Sequence, residues 1–309
     1  MKMRRLGSSG LKVSEVGLGC NNFGMRIDQN ATQSVVDAAL DAGITFFDTA
    51  DIYGGTKSEE FLGKALGKRR GEIVLATKFG MRIGDDESRR GGSRRWIMRA
   101  VEDSLSRLGT DWIDLYQLHA PDADTPLDET LRALDDLVTQ GKVRYIGNSN
   151  FTGWQIADAD WTAAGATRFV SAQNQFSLLE RKVEFEVLPA CEHFGLGFLP
   201  FFPLGSGLLS GKYRRGEKPP EGTRLAAWGA RGAAALSDRN FDKVEKLATW
   251  AEERGHTILE LAFAWLLGHE VVSSVIAGAT SPEQVATNAA TAGWSLTPEE
   301  VKEVGALVA

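Results

Sequence analysis

The sequence predicts an (α/β)8 TIM barrel, and two observations lead to this fold class. Eight short apolar segments follow one another along the chain, and a segment with helical spacing comes after each of them. Strands that alternate with helices form parallel sheets, and eight such repeats is the number that closes a barrel. The chain has 309 residues, 43% of them apolar, so its length allows one barrel domain over 1–309 or two smaller domains.

The elements follow in order from the N-terminus. Residues 2–15 are predicted to form a β-hairpin around the turn residues Ser8, Ser9 and Gly10. The eight predicted strands are 16–20, 44–48, 73–78, 113–119, 143–149, 169–174, 197–202 and 272–277. The predicted helices are 31–42, 58–67, 93–108, 127–140, 153–164, 183–194, 239–255, 257–268, 282–292 and 297–307. Several of these helices begin with acidic residues and end at glycine, as the helix dipole and C-terminal capping favour.

An open doubly wound sheet is the main alternative to a barrel. Such a sheet usually carries G-x-G-x-x-G after its first strand, where the glycines approach a dinucleotide. Residues 17–22 read Gly-Leu-Gly-Cys-Asn-Asn, which starts this pattern and does not complete it. The barrel is therefore the better prediction.

Two connections, 79–92 and 203–238, are unusually long for a compact domain. In a barrel both would rise over the catalytic face, where they could close over a ligand. A basic cluster lies in the first connection and just after it, at Arg89, Arg90, Arg94 and Arg95, and it fits a solvated lid better than an anion site.

Composition excludes several classes of function. The formal net charge of −6 gives no general attraction to nucleic acid or to anionic membranes. Two cysteines, Cys20 and Cys191, are too few for a disulfide framework or a thiolate metal site. The basic start of the chain is followed by Gly and Ser instead of the apolar stretch of a signal peptide, and no run is long enough to span a membrane. We therefore expect a cytoplasmic protein.

Four polar residues, Asp48, Tyr53, Lys78 and His119, lie at the ends of predicted strands or just beyond them. The carboxyl ends of parallel strands meet at one face of a barrel, so these side chains are expected to form one site. An ammonium near a phenol would lower the phenol's pKa, a carboxylate would hold the ammonium, and an imidazole would orient a carbonyl. Singly, each residue has an ordinary structural explanation, but together they can protonate a carbonyl oxygen.

The chain resembles an aldo-keto reductase from end to end. The similarity lies in six stretches in the family's order and spacing, residues 14–19, 46–54, 76–78, 115–119, 146–150 and 203–207. This resemblance implies NADPH-dependent reduction of an aldehyde or ketone in a barrel without a metal. It also implies that Tyr53 is the proton donor, that Lys78 and Asp48 tune it, and that His119 orients the carbonyl.

The resemblance also assigns cofactor residues position by position. Ser149, Asn150 and Gln173 would bind the nicotinamide carboxamide, and Phe201 would stack on the ring in place of the more usual tyrosine. The turn that follows would bind the pyrophosphate through small residues and backbone N–H groups, with Lys212 adding a charge. Its residues are Pro203, Leu204, Gly205, Ser206, Gly207 and Leu208.

The segment after the eighth strand departs from the family. Members usually place Lys or Arg there for the 2′-phosphate of NADPH, but 277–288 contains neither. Gly278, Thr280, Gln284 and Asn288 are the matching candidates, and Thr280 could still donate to a phosphate at the start of a helix. We expect NADP as the cofactor, with NAD possible, because a charge-assisted partner is missing.

The substrate is expected to be a small carbonyl compound. Asn21, Asn22 and Phe23 after the first strand, and Trp228 in the second long connection, are candidates for the pocket wall. Asparagine at 21 and 22 replaces an aromatic residue of many members, which predicts a more polar wall. The sequence does not predict an oligomeric state.

Two other functions stay open. Some relatives in this family are nicotinamide-binding regulatory subunits of ion channels that turn over slowly, and an intact set of four residues allows that too. A Schiff-base reaction with Lys78 as nucleophile would fit Asp48 and Tyr53, but it would leave the cofactor-like stretches unexplained.

Overall fold

The computed structural model describes residues 1–163 and 165–309. An eight-stranded parallel sheet forms its centre, with the strands in the order β10, β3, β4, β5, β6, β7, β8, β9. These strands are β3 Val16–Gly19, β4 Phe46–Asp48, β5 Val74–Phe79, β6 Ile113–Leu118, β7 Val143–Ser149, β8 Phe169–Gln173, β9 Gly197–Phe198 and β10 Val275–Gly278. Phe198 also pairs in parallel with Val272, whose neighbour Ser273 donates its N–H to the Phe198 carbonyl at 2.9 Å. This pairing joins the two outer strands of the sheet, which confirms the predicted (α/β)8 barrel.

The predicted N-terminal hairpin is present as β1 Met3–Arg5 and β2 Lys12–Ser14. Its Leu6 and Val13 are fully buried and belong to a small apolar cluster with residues of five barrel strands or their ends. The partners in the cluster are Phe46, Ala76, Leu115, Leu199 and Ile276. The hairpin therefore closes the amino-terminal end of the barrel, opposite the end where active sites lie in such folds.

Alternation along the strands places polar groups directly above this apolar cluster. Asp48, Lys78 and Gln117 each follow an apolar member of the cluster by two residues, on β4, β5 and β6 respectively. Since successive side chains of a strand point to opposite faces, residues two apart share the barrel interior. The interior is thus apolar at its base and polar toward the carboxyl ends of the strands.

Helices surround the sheet. They are α1 Gln29–Asp41, α2 Lys57–Leu66, α3 Arg94–Leu108, α4 Leu127–Thr139, α5 Gly153–Thr162, α6 Val187–Phe194, α7 Arg224–Ala227, α8 Ala230–Ala235, α9 Asp238–Glu252, α10 Ile258–Leu267, α11 Pro282–Ala290 and α12 Pro298–Ala306. Side-chain caps set several of their starts: the Ser93 hydroxyl accepts from the N–H of Trp96 at α3, and Thr257 and Glu260 form a capping box at α10.

Most predicted bounds hold within a few residues, with three differences. The helix predicted over 183–194 begins only at Val187, and the strand predicted over 197–202 forms its ladder only at Gly197–Phe198. The last strand begins at Val275 instead of 272. The end of the helix predicted over 153–164 includes Ala164, which lies outside the described residues.

The second long connection, residues 203–238, is called here the lid segment. The sequence predicts a long connection here without helices, whereas the structure contains the short helices α7 and α8. Its Arg215 lies within 3.1 Å of carboxylate oxygens of Asp238, Asp242 and Glu245, at or within α9. This network ties the lid segment to α9 on the barrel surface.

Among the helices of the described residues, we find none with the length and apolar character needed to cross a membrane.

Helices α2 and α3 approach each other closely at Gly63. A Cβ atom there would lie 2.5 Å from the backbone oxygen of Leu108, which cannot move away as a flexible side chain could. We expect Gly63→Ala to lower the free energy of unfolding by about 1–3 kcal/mol, despite alanine's higher helix propensity. Gly71→Ala, where a Cβ would meet nothing within 4 Å, is the control and should stay within about 0.5 kcal/mol. Urea unfolding checks both, and equal losses would contradict the close contact.

Candidate active site

The floor of the site is a buried ion pair inside the barrel. The Lys78 ammonium donates to Asp48 Oδ2 at 2.6 Å and to the backbone oxygen of Thr49 at 2.8 Å. Both side chains are almost fully buried. Burial lowers the pKa of Lys78, but Asp48 and the Tyr53 hydroxyl raise it, and the net pKa lies above the ordinary value. Lys78 is therefore a cation at neutral pH.

Tyr53 lies within reach of this cation. Its hydroxyl oxygen is 3.4 Å from Lys78 Nζ, which also lies 5.0 Å from the centre of the phenol ring. Lys78 does lower the pKa of Tyr53, as expected, but it is not the largest influence on that pKa. Burial raises the pKa of Tyr53 by more than Lys78 lowers it, so the net pKa lies above 10. The phenol is thus protonated at neutral pH.

His119 follows β6 and faces Tyr53, with the two ring centres 5.7 Å apart and the rings almost perpendicular. Burial, and then the nearby Lys78 ammonium, lower the pKa of His119 to about 3. Nδ1 is buried and has no hydrogen-bond partner among the described residues. A neutral imidazole can still donate one hydrogen bond, but it cannot serve as an acid at neutral pH.

Two glutamines that meet on Asp48 complete the floor. Gln117 Nε2 and Gln173 Nε2 donate to Asp48 Oδ1 at 3.0 and 2.9 Å. Gln173 is a predicted cofactor residue, whereas Gln117 is not among the predicted site residues. Its position on β6, two residues before His119, was the available signal. Asp48 therefore connects side chains of β5, β6 and β8.

A cavity of about 570 Å3 opens above this floor, within the usual size range of small-molecule sites. It contains three of the four predicted catalytic residues on its wall, with Lys78 directly behind them. The other predicted residues along it are Asn21, Asn22, Ser149, Asn150, Gln173, Phe201, Pro203, Leu204, Ser206, Gly207, Lys212, Gly278, Thr280 and Gln284. The cavity thus runs from Tyr53 and His119 to the start of α11.

The amide oxygens of Asn150 and Gln173 fit a nicotinamide carboxamide. The NH2 group of Asn150 donates to the His119 carbonyl at 2.9 Å, and that of Gln173 donates to Asp48. No described residue donates to the side-chain oxygen of either amide, and both residues line the cavity. These oxygens can accept from a ligand's NH2 group. Phe201 lines the wall nearby and offers an aromatic face.

The turn at 203–208, which is expected to offer backbone N–H groups to a phosphate, uses some of these groups internally. Gly205, Ser206 and Gly207 all have positive φ values, which make a tight turn. Within it the N–H of Gly205 donates to the Phe202 carbonyl at 3.0 Å, and the N–H of Gly207 donates to the Leu204 carbonyl at 2.8 Å. At least these two donors are used by the turn itself.

The start of α11 is similarly occupied. The N–H and the hydroxyl of Thr280 both donate to Gln284 Oε1, at 2.9 and 3.2 Å, and the Ser281 hydroxyl caps the N–H of Gln284. The groups expected to replace the missing cation therefore bond to one another in this structure.

Besides Lys78, five predicted residues do not lie on the cavity wall. Phe23 is fully buried in the main core, so burial among apolar side chains, and not a pocket, explains its aromatic character. The others are Gly205, Leu208, Trp228 and Asn288, of which Leu208 and Asn288 are buried. The connection 79–92 contributes no described residue to the wall either, and its arginines pair with acids such as Asp103 and Asp124.

Several wall residues are not among those predicted from the sequence, and three of them are prominent. Arg26 lies between β3 and α1, Phe202 follows β9, and Arg224 begins α7 in the lid segment. Phe202 has a φ of 52°, unusual for a bulky residue, and its ring contacts those of Phe201 and Trp228. Cys20, Glu221 and Thr223 line the wall as well.

Comparison with known proteins shows which family the chain belongs to. The family model described as "Aldo/keto reductase family" matches residues 15–309, nearly the whole chain. The chain belongs to the aldo/keto reductase family. Membership supports an NAD(P)H-dependent oxidoreductase that acts on a small carbonyl compound.

Several relatives of this aldo/keto reductase are similar over most of their length. An uncharacterized oxidoreductase of Bacillus subtilis is 41% identical over 92% of this chain and 89% of its own. A probable voltage-gated potassium channel subunit beta of Oryza sativa subsp. japonica is 37% identical over 100% of this chain and 97% of its own. Versiconal hemiacetal acetate reductase of Aspergillus parasiticus is 34% identical over 98% of this chain and 95% of its own. The reductase family thus includes both enzymes and channel-subunit proteins among the relatives of this chain.

The buried pair of Asp48 and Lys78 allows a prediction about the free energy of unfolding. Asp48→Ala would leave the Lys78 ammonium buried without its carboxylate, so we expect a loss of about 3–5 kcal/mol in the free energy of unfolding. Asp48→Ala combined with Lys78→Met should lose clearly less, because no unpaired charge stays buried. Urea unfolding at pH 7 measures both.

The control is Asp85→Ala, which removes one of the two carboxylate partners of Arg82 at an exposed position and should change stability by less than about 0.5 kcal/mol. A double variant as unstable as Asp48→Ala alone would contradict the importance of the unpaired charge.

Proposed function

We propose that residues 1–309 act as one barrel domain that reduces an aldehyde or ketone to an alcohol with NAD(P)H as hydride donor. The observation that carries this proposal is the group at the cavity floor, where the Lys78 ammonium lies 2.6 Å from Asp48 and 3.4 Å from the Tyr53 hydroxyl. In this proposal Tyr53 is the proton donor, Lys78 and Asp48 tune it, and His119 orients the carbonyl.

The electrostatics support this division of roles. Hydride addition to a carbonyl leaves a developing alkoxide that needs a proton, and a reduced nicotinamide supplies the hydride when it is bound. Tyr53 carries a proton at neutral pH, and the adjacent Lys78 cation stabilises the phenolate as that proton leaves. His119 is neutral, so it can donate a hydrogen bond to the carbonyl oxygen without competing as the acid.

The cavity wall offers a consistent set of cofactor contacts. Phe201 would stack on the nicotinamide, and Ser149, Asn150 and Gln173 would bind its carboxamide. Pro203, Leu204, Ser206, Gly207 and Lys212 would surround the pyrophosphate, and Gly278, Thr280 and Gln284 the adenosine end. We propose NADPH as the cofactor with NADH accepted, because residues 279–288, which directly follow β10, contain no Lys or Arg.

The substrate proposal is limited to a small carbonyl compound. Asn21 and Asn22 make the wall near β3 polar, although Asn22 Nδ2 already donates to the backbone oxygen of Ala279 at 3.2 Å. Trp228 is connected to the wall through Phe202, whose ring lies 6.3 Å from it. We also propose that the protein acts in the cytoplasm, where NADPH is available.

The Schiff-base alternative is not favoured. Its nucleophile would have to be a neutral amine that reaches the substrate. Lys78 has a raised pKa, bonds to Asp48 and Thr49, and is fully buried behind the cavity.

A second candidate is a nicotinamide-binding regulatory subunit with slow turnover. The relatives named as potassium channel subunits beta, in Oryza sativa subsp. japonica and in Arabidopsis thaliana, favour it. Such a protein would oxidise its bound cofactor once on addition of a carbonyl but show negligible steady-state turnover. An enzyme would continue to turn over with excess NADPH, so comparing the two rates separates the candidates.

Removing the Tyr53 hydroxyl tests the proposed acid. We expect Tyr53→Phe to lower kcat by about 10²–10⁴-fold, the usual worth of general acid catalysis, with the Kd of NADPH nearly unchanged. Steady-state kinetics and quenching of tryptophan fluorescence measure these quantities. Tyr116→Phe is the matched control, because the buried Tyr116 hydroxyl lies outside the cavity and has no partner among the described residues. Turnover of Tyr53→Phe within a few fold of wild type would exclude Tyr53 as the acid.

The pH dependence of reduction follows from the two shifted groups. Reduction requires protonated Tyr53, and its raised pKa moves the loss of that proton to above pH 10. His119, with a pKa of about 3, stays neutral above about pH 4. We therefore expect kcat/KM for reduction to stay flat between about pH 5 and 9 and to fall only at higher pH. A step near pH 6.5 that disappears in His119→Asn would show that His119 titrates instead.

A further inference from the structure

Three aromatic side chains of the described residues are mostly exposed, and all three lie on one side of the barrel. Trp154 and Trp161 of α5 are 64% and 79% exposed, and Phe185, just before α6, is 88% exposed. Side chains of these types carry much of the binding energy in the interfaces where they are buried. They line no part of the catalytic cavity, so the proposed reaction does not explain their exposure.

These three side chains form one continuous row. Trp161 follows Trp154 by seven residues, or two helical turns, so both lie on the same face of α5, about 10 Å apart along its axis. At the start of α5, a Cβ of Gly153 would lie 2.7 Å from the backbone oxygen of Glu186. Phe185 therefore lies beside the Trp154 end of the helix. We call Trp154, Trp161 and Phe185 the aromatic row.

The area of the aromatic row limits what can cover it. A full side chain of this kind presents about 150–250 Å2, so the exposed fractions amount to about 400–500 Å2. Patches of this size on a monomer are often functional. Each partner in a standard stable interface buries about 800 Å2, which the row does not reach. A short segment of chain therefore fits the row better than a second folded domain does.

The surroundings of the aromatic row are acidic. Helix α5 and residues 185–194 contain four acids and no Lys or Arg, and among the described residues only Asp160 of these acids has an ion-pair partner, Arg168. Asp158 is exposed and lies between the two tryptophans on the same face of α5. The last turn of α5 carries no basic residue to balance the negative end of the helix dipole. These charges favour a cationic partner.

Two other occupants fit these charges less well. In a two-fold pairing of identical rows, Asp158 and Glu186 of one copy would face the same acids of the other, and like charges repel. An anionic membrane surface would be repelled in the same way. Lys182, three residues before Phe185, lies 3.9 Å from Glu180, so a carboxylate already opposes its charge.

We propose that the aromatic row, together with Asp158 and Glu186, binds a short basic segment of another protein in which Lys or Arg side chains are interspersed with aliphatic ones. The cations would lie over the tryptophan rings and pair with the two carboxylates, and the aliphatic side chains would cover the row. Arginine fits better than lysine, because a guanidinium can stack on indole and bond a carboxylate through two N–H groups. This proposal is independent of the proposed reduction, because the row lies outside the cavity.

Fluorescence anisotropy of labelled synthetic peptides with the full-length protein tests this surface. The probe is a short peptide of Arg, Leu and Ser in equal numbers, and two matched peptides carry Glu in place of Arg or Ser in place of Leu. We expect the Arg–Leu peptide to bind wild type with a Kd of about 10–100 μM, as a small interface does. The peptide without Leu should bind at least about fivefold more weakly, and the Glu peptide should not bind.

Substitutions in the row should weaken the Arg–Leu peptide selectively. We expect Trp154→Ala and Trp161→Ala each to raise its Kd about tenfold, as the loss of an interfacial aromatic anchor does. Asp158→Asn should raise the Kd by about two- to fivefold and make it less sensitive to salt. These positions are exposed, so the melting temperature and the Kd of NADPH should be unchanged in all three variants.

The matched controls are exposed residues outside the row. Met25→Ala removes an apolar side chain that is 62% exposed, and Asp41→Asn removes the charge of an exposed acid on α1. Both variants should bind the Arg–Leu peptide within about twofold of wild type. Losses as large as those of the row variants would assign binding to overall charge and apolar content, and would overturn the site.

Other results would overturn the proposal in distinct ways. If wild type does not bind the Arg–Leu peptide at up to about 1 mM, the row is not a surface for basic segments. Equal Kd values in wild type, Trp154→Ala and Trp161→Ala would place the peptide elsewhere on the protein. A wild-type dimer in sedimentation that Trp161→Ala dissociates would assign the row to a second copy. Binding to phosphatidylserine vesicles that Trp161→Ala abolishes would assign it to a membrane surface.

Discussion

The buried pair of Lys78 and Asp48 is the interaction on which the rest of the site depends. A charge can stay in a protein interior only when it is paired and its remaining hydrogen-bonding groups are satisfied. Lys78 meets this condition through Asp48 and the Thr49 carbonyl, and Asp48 through Lys78, Gln117 and Gln173. The pair therefore fixes four strands relative to one another and sets the direction in which the Gln173 oxygen can face.

Burial separates the pKa values of two neighbouring titratable groups, Tyr53 and His119. Tyr53 and His119 both line the cavity, and their ring centres are 5.7 Å apart. Burial nevertheless moves their pKa values in opposite directions. For a phenol, burial disfavours the anion, and for an imidazole it disfavours the cation. Both groups are consequently neutral over the same wide pH range. In the proposed reaction this leaves one proton donor and one hydrogen-bond donor, without exchange of roles.

The fold and the four-residue group could be predicted because both follow from local patterns. Strand-length apolar segments alternate with helical ones, and Asp48, Lys78 and His119 lie where parallel strands end. Arg26, Phe202 and Arg224 were missed because they meet only through tertiary folding of segments far apart in sequence. Phe23 looked like a wall residue from its position after β3, but the chain there turns its side chain into the core. Family position alone could not show that Thr280 donates to Gln284, since that depends on side-chain orientation at a helix start.

The hairpin at the closed end of the barrel affects more than the packing there. Leu6 and Val13 seal an apolar base made partly of Phe46, Ala76 and Leu115, directly below Asp48, Lys78 and Gln117. Water that entered from that side would screen the ammonium and weaken its pull on the Tyr53 hydroxyl. The first fourteen residues therefore keep water away from the Lys78 ammonium, although none of them lines the cavity. A substitution in the hairpin that admitted water would therefore change the acidity of Tyr53, at the opposite end of the barrel.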